Sequence, residues 1–255
     1  DALQAGAGDY DALLETLRRK TELAETPAER VALLERRADI RENEMSDVSG
    51  AIDAMEGVLV EDPHRASAYE RLAGLYEKAE RWSDLGATLE RQLEAGAGQG
   101  VLVRHRLGTV ALERLNDAYQ ALDQFKAALG LDPSHEPTIA RLQAMMESEE
   151  HRGQAAEILE PVFLSRMDWP NVTATLEARL SATHDEMDRK EILRRLGQIH
   201  EDYLEDLEGA LACYARLLQE DVRDRETRDT LSRLGKVLEE WETLAGIFGA
   251  AVEKE

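Results

Sequence analysis

Arg36, Arg71, Arg106 and Arg141 lie 35 residues apart, and Arg195 follows 54 residues beyond Arg141. A guanidinium is a flat, permanently charged fork of donors that grips a carboxylate or phosphate through two parallel hydrogen bonds. Repeated at a fixed interval, such forks make a ladder that can hold an acidic or phosphorylated segment of another protein, so this column is the candidate partner-binding site. The competing reading is structural. Charges on a helix surface pair with carboxylates such as Glu35, Glu70 or Glu191 on their own or adjacent helices, and solvated pairs of that kind are worth little.

No other residue types fall into a pattern that does chemistry. His200-Glu201-Asp202 lacks a second histidine one helical turn away, and His184-Asp185-Glu186 sits in a connector, so no zinc set forms. His64 and His135 follow helix-ending prolines and read as first-turn residues. There is no Gly-x-Ser-x-Gly, no phosphate loop and no cysteine-histidine pairing of recognisable spacing. Cys213, the single cysteine, falls on the apolar side of a predicted helix and excludes an intrachain disulfide. These residues therefore predict no catalytic site, no metal and no cofactor.

A ladder with a 35-residue rung needs a scaffold with the same period, and the apolar residues supply one. Leu72, Leu107 and Leu142 share the interval, and Leu196 and Leu231 continue the column. Three residues further on, Ile40, Leu75, Val110, Met145, Ile199 and Leu234 form a second column. A third holds small residues, Ala51, Gly86, Ala121, Ala156, Ala210 and Ala245. Small residues let helices approach closely, and the apolar columns form the seam between layers. Within one period, residues 103–133, two stripes at helical spacing are separated by Asn116-Asp117 and stopped by Pro133. A helix hairpin of this size cannot cover its own apolar faces, so copies must stack. The expected architecture is an all-α solenoid of stacked antiparallel hairpins with about 14 helices, sharing one continuous seam and spanning 1–255 as a single domain. Alternate second helices shift their stripe by one residue, Ile52, Leu122 and Leu211 against Leu85, Ala155 and Leu244, which points to a double unit of 70.

The chain in order gives helices over 10–22, 27–43, 47–62 and 65–79, and one starting at Trp82. The run EAGAGQG at 94–100 reads as a loose connector. After the 103–133 hairpin come helices at 137–148 and 154–165, the latter expected to kink or restart at Pro161. The 54-residue step is an insertion of 19, assigned to one extra unpaired helix over about 168–182 that forces the helix near Leu159 to serve both neighbours and the superhelix to change direction around 150–185. Helices at 187–202, 206–219, 223–239 and 241–252 complete the chain. Gly246 and Gly249 make the last dependent on packing for its order. Trp82, Trp169 and Trp241, with Tyr10, recur at the heads of second helices and are read as packing between layers.

With 43% hydrophobic but only 5% aromatic residues, the chain can bury a large core, in thin layers. A formal charge of -22 argues against nucleic acid and makes basic partners electrostatically easier, although an acid-rich surface also serves solubility alone. No run approaches the roughly 18 apolar residues of a membrane helix. The compartment stays open, with the cytoplasm favoured, and so does the oligomeric state. Residues 1–13 read as one helix running into another, and AAVEKE lacks a polar cap, so a fragment of a longer repeat protein is expected.

The period and these residues resemble the tetratricopeptide repeat, a helix-turn-helix of about 34 residues opening W-x2-L-G-x2-Y and followed by A-x3-F and then P. Tyr69, Leu72, Ala73 and Tyr76 are similar to the opening, as are the pairs Leu107-Gly108 and Leu196-Gly197, and Ala121, Phe125 and Pro133 are similar to the second helix. The gaps Gly108 to Ala121 and Gly197 to Ala210 are one residue longer than the usual pattern. The resemblance implies a right-handed superhelix whose first helices line a concave groove, with the arginine column facing it. It does not extend to the chaperone-tail clamp of that family, because Asp39, Gly74, Thr109 and Ala144 stand where its asparagine belongs. The implied function is a non-catalytic scaffold that receives a peptide or helix of a partner protein, either basic overall or with an acidic tail at the groove. A structural spacer or self-assembly arm is the alternative. RNA recognition by pentatricopeptide-like repeats fits the period but neither the charge nor the Asp-Pro endings.

Overall fold

The structure, a computed structural model, describes residues 9–253. Among them are fourteen α-helices and no strand: α1 (Tyr10–Leu23), α2 (Pro27–Asp39), α3 (Val48–Glu61), α4 (Ala66–Lys78), α5 (Trp82–Glu94), α6 (Gly100–Glu113), α7 (Ala118–Leu131), α8 (Glu136–Met146), α9 (Arg152–Ser165), α10 (Trp169–Ala182), α11 (Glu186–Asp202), α12 (Leu207–Glu220), α13 (Arg225–Leu238) and α14 (Trp241–Val252). A single wide turn, Ile40–Glu44, extends α2. The chain forms an all-α solenoid of consecutive antiparallel helices. Two compact units are present, Asp1–Asp132 and Pro133–Glu255.

Local chemistry accounts for the helix starts. Thr26 accepts from the Glu29 amide while the Glu29 side chain accepts from the Thr26 amide, a reciprocal cap with Pro27 at the first helical position. Asp47, Asp117, Asp168, Asp185, Asp206 and Asp224 cap α3, α7, α10, α11, α12 and α13 in the same way from one side. Each such cap is worth about 1 kcal/mol.

Two kinds of hairpin turn alternate. In α2–α3, α6–α7 and α11–α12, here called odd, the capping aspartate donates its amide six residues back, Asp47 to Arg41 O at 2.7 Å, Asp117 to Ala111 O at 2.8 Å and Asp206 to His200 O at 2.8 Å. In α4–α5, α9–α10 and α13–α14, the even hairpins, the return spans five residues, Arg81 to Tyr76 O, Asp168 to Phe163 O and Glu240 to Gly235 O at 2.9–3.0 Å. The residue before each cap is left-handed in both kinds: Ser46, Asn116 and Glu205 in odd turns, and Glu80, Met167 and Glu239 in even ones. The apolar stripe of the second helix begins five residues after an odd cap, at Ile52, Leu122 and Leu211, and four after an even cap, at Leu85, Val172 and Leu244. The double unit seen as a one-residue shift in sequence is therefore built into the turns.

This geometry reassigns the irregular region. The even turn at Met167 joins α9 to α10, so residues 169–182 form the second helix of a hairpin, and α8 stands outside the alternation. Helix α9 packs against both α8 and α10 and buries residues around much of its circumference, Ala155, Ala156, Leu159, Glu160, Val162 and Phe163. Nor does Pro161 restart the helix, which runs unbroken to Ser165. The proline ring and Glu157, whose carbonyl loses its donor, both belong to exposed residues.

The seam also departs from expectation at one end. Leu75 and Val110 share one buried cluster with Val31, Leu34 and Ala38, but Ile40 belongs to a separate cluster with Leu13, Leu14 and Leu17 of α1. The residue at fault sits in the leucine column. Leu72, Leu107, Leu142, Leu196 and Leu231 are all 0% exposed, whereas 35 residues before Leu72 the column holds Arg37. Its guanidinium is half-buried, its Nε donor has no partner, and burial, then the neighbouring Arg41 and Arg18, disfavour its charged form. A polar head cannot continue an apolar seam, and the seam divides there.

Candidate partner-binding face

Apart from Arg141 on α8, the arginines of the ladder come from first helices, and Arg71, Arg106 and Arg195 each reach back to the preceding first helix. Arg71 of α4 holds Asp39 at 2.7 Å and Glu42 at 3.1 Å, and Glu42 also receives Lys78. Those two cations, Lys78 foremost, pull the Glu42 carboxyl below its ordinary value. Arg106 of α6 bridges Glu70 at 3.1 Å and Glu77 at 2.9 Å on α4. Arg195 of α11 reaches Glu160 of α9 at 2.5 Å. That last contact independently marks α9 as a first helix. Arg141, on α8, is half-buried and also has a partner. Arg36 is exposed on α2 and, among the described residues, makes no ion pair.

The carboxylates differ from those anticipated. Glu70 is a partner, but Glu35 binds Arg65 at 2.9 Å instead. Asp39, Glu42, Glu77 and Glu160 were not legible as partners because the pairing runs between hairpins, 29 to 36 residues apart, rather than along one helix. Second helices carry rungs of the same type: Arg91 of α5 grips Glu56 of α3 with both carboxylate oxygens, at 2.9 and 3.1 Å, and Arg216 of α12 grips Glu177 of α10 at 2.6 and 3.0 Å. Ion-pair rungs thus join successive hairpins through both their first and their second helices.

Glu160 is the buried member of the set. Its side chain is only 9% exposed and accepts from Arg195 of α11 and from Arg179 of α10, so one carboxylate fastens three helices. Beside it, the start of α9, the end of α10 and the start of α11 border an open cleft of about 670 Å³ lined by Arg152, Arg179 and His184 and by Glu150, Glu157 and Asp188. Its walls carry both signs of charge.

The odd turns contain a polar contact that sequence reasoning missed. Arg41 donates to the capping Asp47 at 2.5 Å, and His200 pairs with the capping Asp206 at 2.9 Å. Both aspartates sit below the ordinary carboxyl value, chiefly through the backbone donors Gly50 and Gly209 and then through Arg41 and His200 respectively. A Cβ at Gly50 would overlap Arg41 Nη1 and Asp47 Oδ2, and one at Gly209 would overlap Asp206 Oδ2 and His200 Nδ1. In the third odd turn Ala111 stands where Arg41 and His200 do, and Gln120 replaces the glycine. The signal was therefore present as a paired change between repeats: an arginine or histidine six residues before the cap goes with glycine three residues after it.

The aromatic residues that head α1, α5 and α10 each meet the odd hairpin that follows. Trp82 lies under the Arg114 guanidinium, 4.5 Å from carbon to ring centre, and Trp169 stacks on Tyr203 at 3.9 Å with 19° between planes. Tyr10 donates its hydroxyl to Glu44 at 2.8 Å. Glu44, Arg114 and Tyr203 occupy one position, four residues after Ile40, Val110 and Ile199. Trp241 departs from the layer-packing expectation, being 59% exposed. Cys213 is buried, and that burial, followed by the nearby Glu177, pushes its thiol up to about 11, far from a reactive thiolate. Among the described residues no group of three or more potential ligands could hold a metal ion, and no helix is long and apolar enough to cross a membrane.

Repeated hairpins, a leucine column buried throughout its length from Leu72 onward, and rings packed on the glycines of the Leu-Gly pairs, Phe125 on Gly108 and Tyr214 on Gly197, define a helical-hairpin repeat fold similar to the tetratricopeptide repeat. No protein-family model matches the chain, and a comparison with curated proteins finds no match. Solved structures similar to it include the protein MamA, at 15% identity over 77% of this chain and 94% of that one with a TM-score of 0.35. Another is YrrB, described as a tetratricopeptide repeat protein with an unusual peptide-binding site, at 17% identity over 76% and 88% with a TM-score of 0.32. A third is a tetratricopeptide repeat protein from Parabacteroides merdae, at 12% identity over 88% and 78% with a TM-score of 0.36.

Proposed function

We propose that the chain is a non-catalytic protein-interaction scaffold that receives a peptide or helix of a partner along its first helices, with Arg36, Arg71, Arg106, Arg141 and Arg195 lining the binding face. The observation that carries this reading is the row of half-exposed guanidinium-carboxylate rungs on successive first helices. The Arg106 rungs are the labile ones, because a pair with 29% of the arginine and 45–60% of the carboxylate side chains in water is held by roughly 1 kcal/mol or less. An incoming acidic segment exchanges its carboxylates for Glu70 and Glu77 at Arg106, while a basic segment exchanges its cations for the arginine itself. Arg36, which meets no carboxylate among the described residues, is the rung open to an acidic group at once.

The test is partner capture, or chemical-shift perturbation by a captured partner, with the double variant Arg106→Glu plus Arg141→Glu. Loss of capture with unchanged helicity and melting supports the reading, and undiminished capture overturns it. A structural spacer is the second reading, and it has its own observation: Arg71, Arg106 and Arg195 already hold carboxylates of this chain. A spacer captures nothing, so the double variant would then change only stability.

A further inference from the structure

The even hairpins α4–α5 and α9–α10 superimpose in sequence through their turns, Glu80 on Met167 and the acceptor Tyr76 on Phe163, and the odd hairpins that follow them do so through Asn116 and Glu205. Glu157 therefore stands where Glu70 does, Arg195 where Arg106 does, and Arg179 where Gln92 does. In the first unit Glu70 accepts from Arg106 at 3.1 Å and from Gln92 at 3.4 Å. In the second, Arg195 and Arg179 both go to Glu160, one turn further along α9. Glu157 loses both donors and, among the described residues, is an exposed carboxylate with no ion pair or hydrogen bond.

The connector changes with it. After α5 the chain stays helical at Ala95 and turns through Gly96 and Gly98, both left-handed, which buries Ala97 and lets its amide donate to Gln92 O at 3.0 Å. After α10, Thr183 is extended and leads at once to Asp185, the cap of α11. His184 between them is exposed where Ala97 is buried, and the open cleft of about 670 Å³ lies there with Glu157 in its wall. That volume falls in the range usual for sites that hold a drug-sized ligand. The cations of the wall are committed elsewhere. Arg152 donates to Met146 O at 3.0 Å, Glu147 O at 3.3 Å and Ser181 Oγ at 3.4 Å, and Arg179 is held by Glu160.

We infer that this cleft binds an arginine side chain in a basic segment of a partner polypeptide, whose guanidinium takes on Glu157 the place that Arg106 holds on Glu70. The first unit supplies the chemistry of the ligand, since the same carboxylate position there already grips a guanidinium. A planar fork of donors matches a carboxylate better than a point charge does. Asp188, in the same wall and also without an ion pair, extends the negative field to a neighbouring basic residue of the segment. The site needs neither Arg106 nor Arg141, so it and the ladder can fail separately.

The probe is the capped tripeptide acetyl-Arg-Ala-Arg-amide, titrated into the whole chain at low salt and followed by chemical shifts. Saturable shifts centred on Gly153, Glu157 and Ile192 are expected. Glu157→Gln should weaken binding at least fivefold, and Glu70→Gln, which removes the equivalent carboxylate of the first unit, less than twofold. The lysine analogue acetyl-Lys-Ala-Lys-amide should bind at least twofold more weakly. Absence of saturation overturns the inference, and so does an equal loss from the two glutamate variants, which would show diffuse attraction to a chain of formal charge -22. Argininamide binding as tightly as the tripeptide overturns the assignment to a polypeptide in favour of a small guanidinium compound. The Arg106→Glu plus Arg141→Glu variant should keep the tripeptide bound, and loss of binding there would move the site to the ladder and overturn the inference.

Discussion

The same arginine column has two different physical characters in the two units. In the first unit Arg106 spreads its guanidinium over Glu70 and Glu77, and Glu70 is 60% exposed, so water competes for every contact. In the second unit Arg195 shares Glu160 with Arg179, and that carboxylate is 9% exposed. Both arginines reach back to a preceding first helix. What differs is the number of helices closing over the acceptor, because α9 serves two neighbours and brings α10 and α11 around Glu160. Column membership alone therefore does not set what a charge does; desolvation does. An exposed rung can exchange partners, whereas a buried one is a fastening whose removal leaves charge without compensation.

The largest effect that would sharpen this contrast comes from Glu160→Ala. Two guanidiniums lose a shared acceptor in a partly dry site, and unfolding by urea should show a loss of about 3–5 kcal/mol. A loss below about 1 kcal/mol would put Glu160 in the same class as Glu70 and end the distinction. Arg37→Leu comes next and should stabilise, by about 1–2 kcal/mol, because a half-buried guanidinium with an unpartnered donor gives way to the residue found at every later position of its column. A melting temperature that falls would mean that the Arg37 head is held by something other than burial. The smallest effect belongs to Glu70→Ala, which should cost no more than about 0.5 kcal/mol and vanish in 1 M salt, where screening acts within about 3 Å. The Glu160→Ala loss should persist in the same salt. Equal salt sensitivity of the two would erase the contrast.

Much of the architecture was legible because it is periodic. Helix positions from Tyr10 to Val252 followed from apolar spacing and from caps such as Thr26-Pro27 and Asp47, which act locally and need no partner elsewhere in the chain. The double unit was visible too, as the shifted stripe of Ile52 and Leu122 against Leu85. Its cause, a six-residue against a five-residue return in the turn, was not, since backbone closure leaves little compositional trace. The region around α9 misled because two helices, α8 and α9, both carry the first-helix pattern, and a single column cannot rank them. The candidate site was legible only as a column. Its ion-pair partners lie a whole repeat away, where many acidic residues are equally spaced.

The amino-acid sequence by itself determined that this chain is a series of antiparallel helices with apolar seams of fixed period, because helix formation and amphipathic patterning depend on neighbours three and four residues away. Only the tertiary structure decided which carboxylate each arginine meets, that Glu160 is dry while Glu70 is wet, that Arg37 splits the seam, and that Trp241 is left uncovered. Those outcomes depend on how many helices surround a side chain, a quantity set by packing between repeats and carried by no single residue.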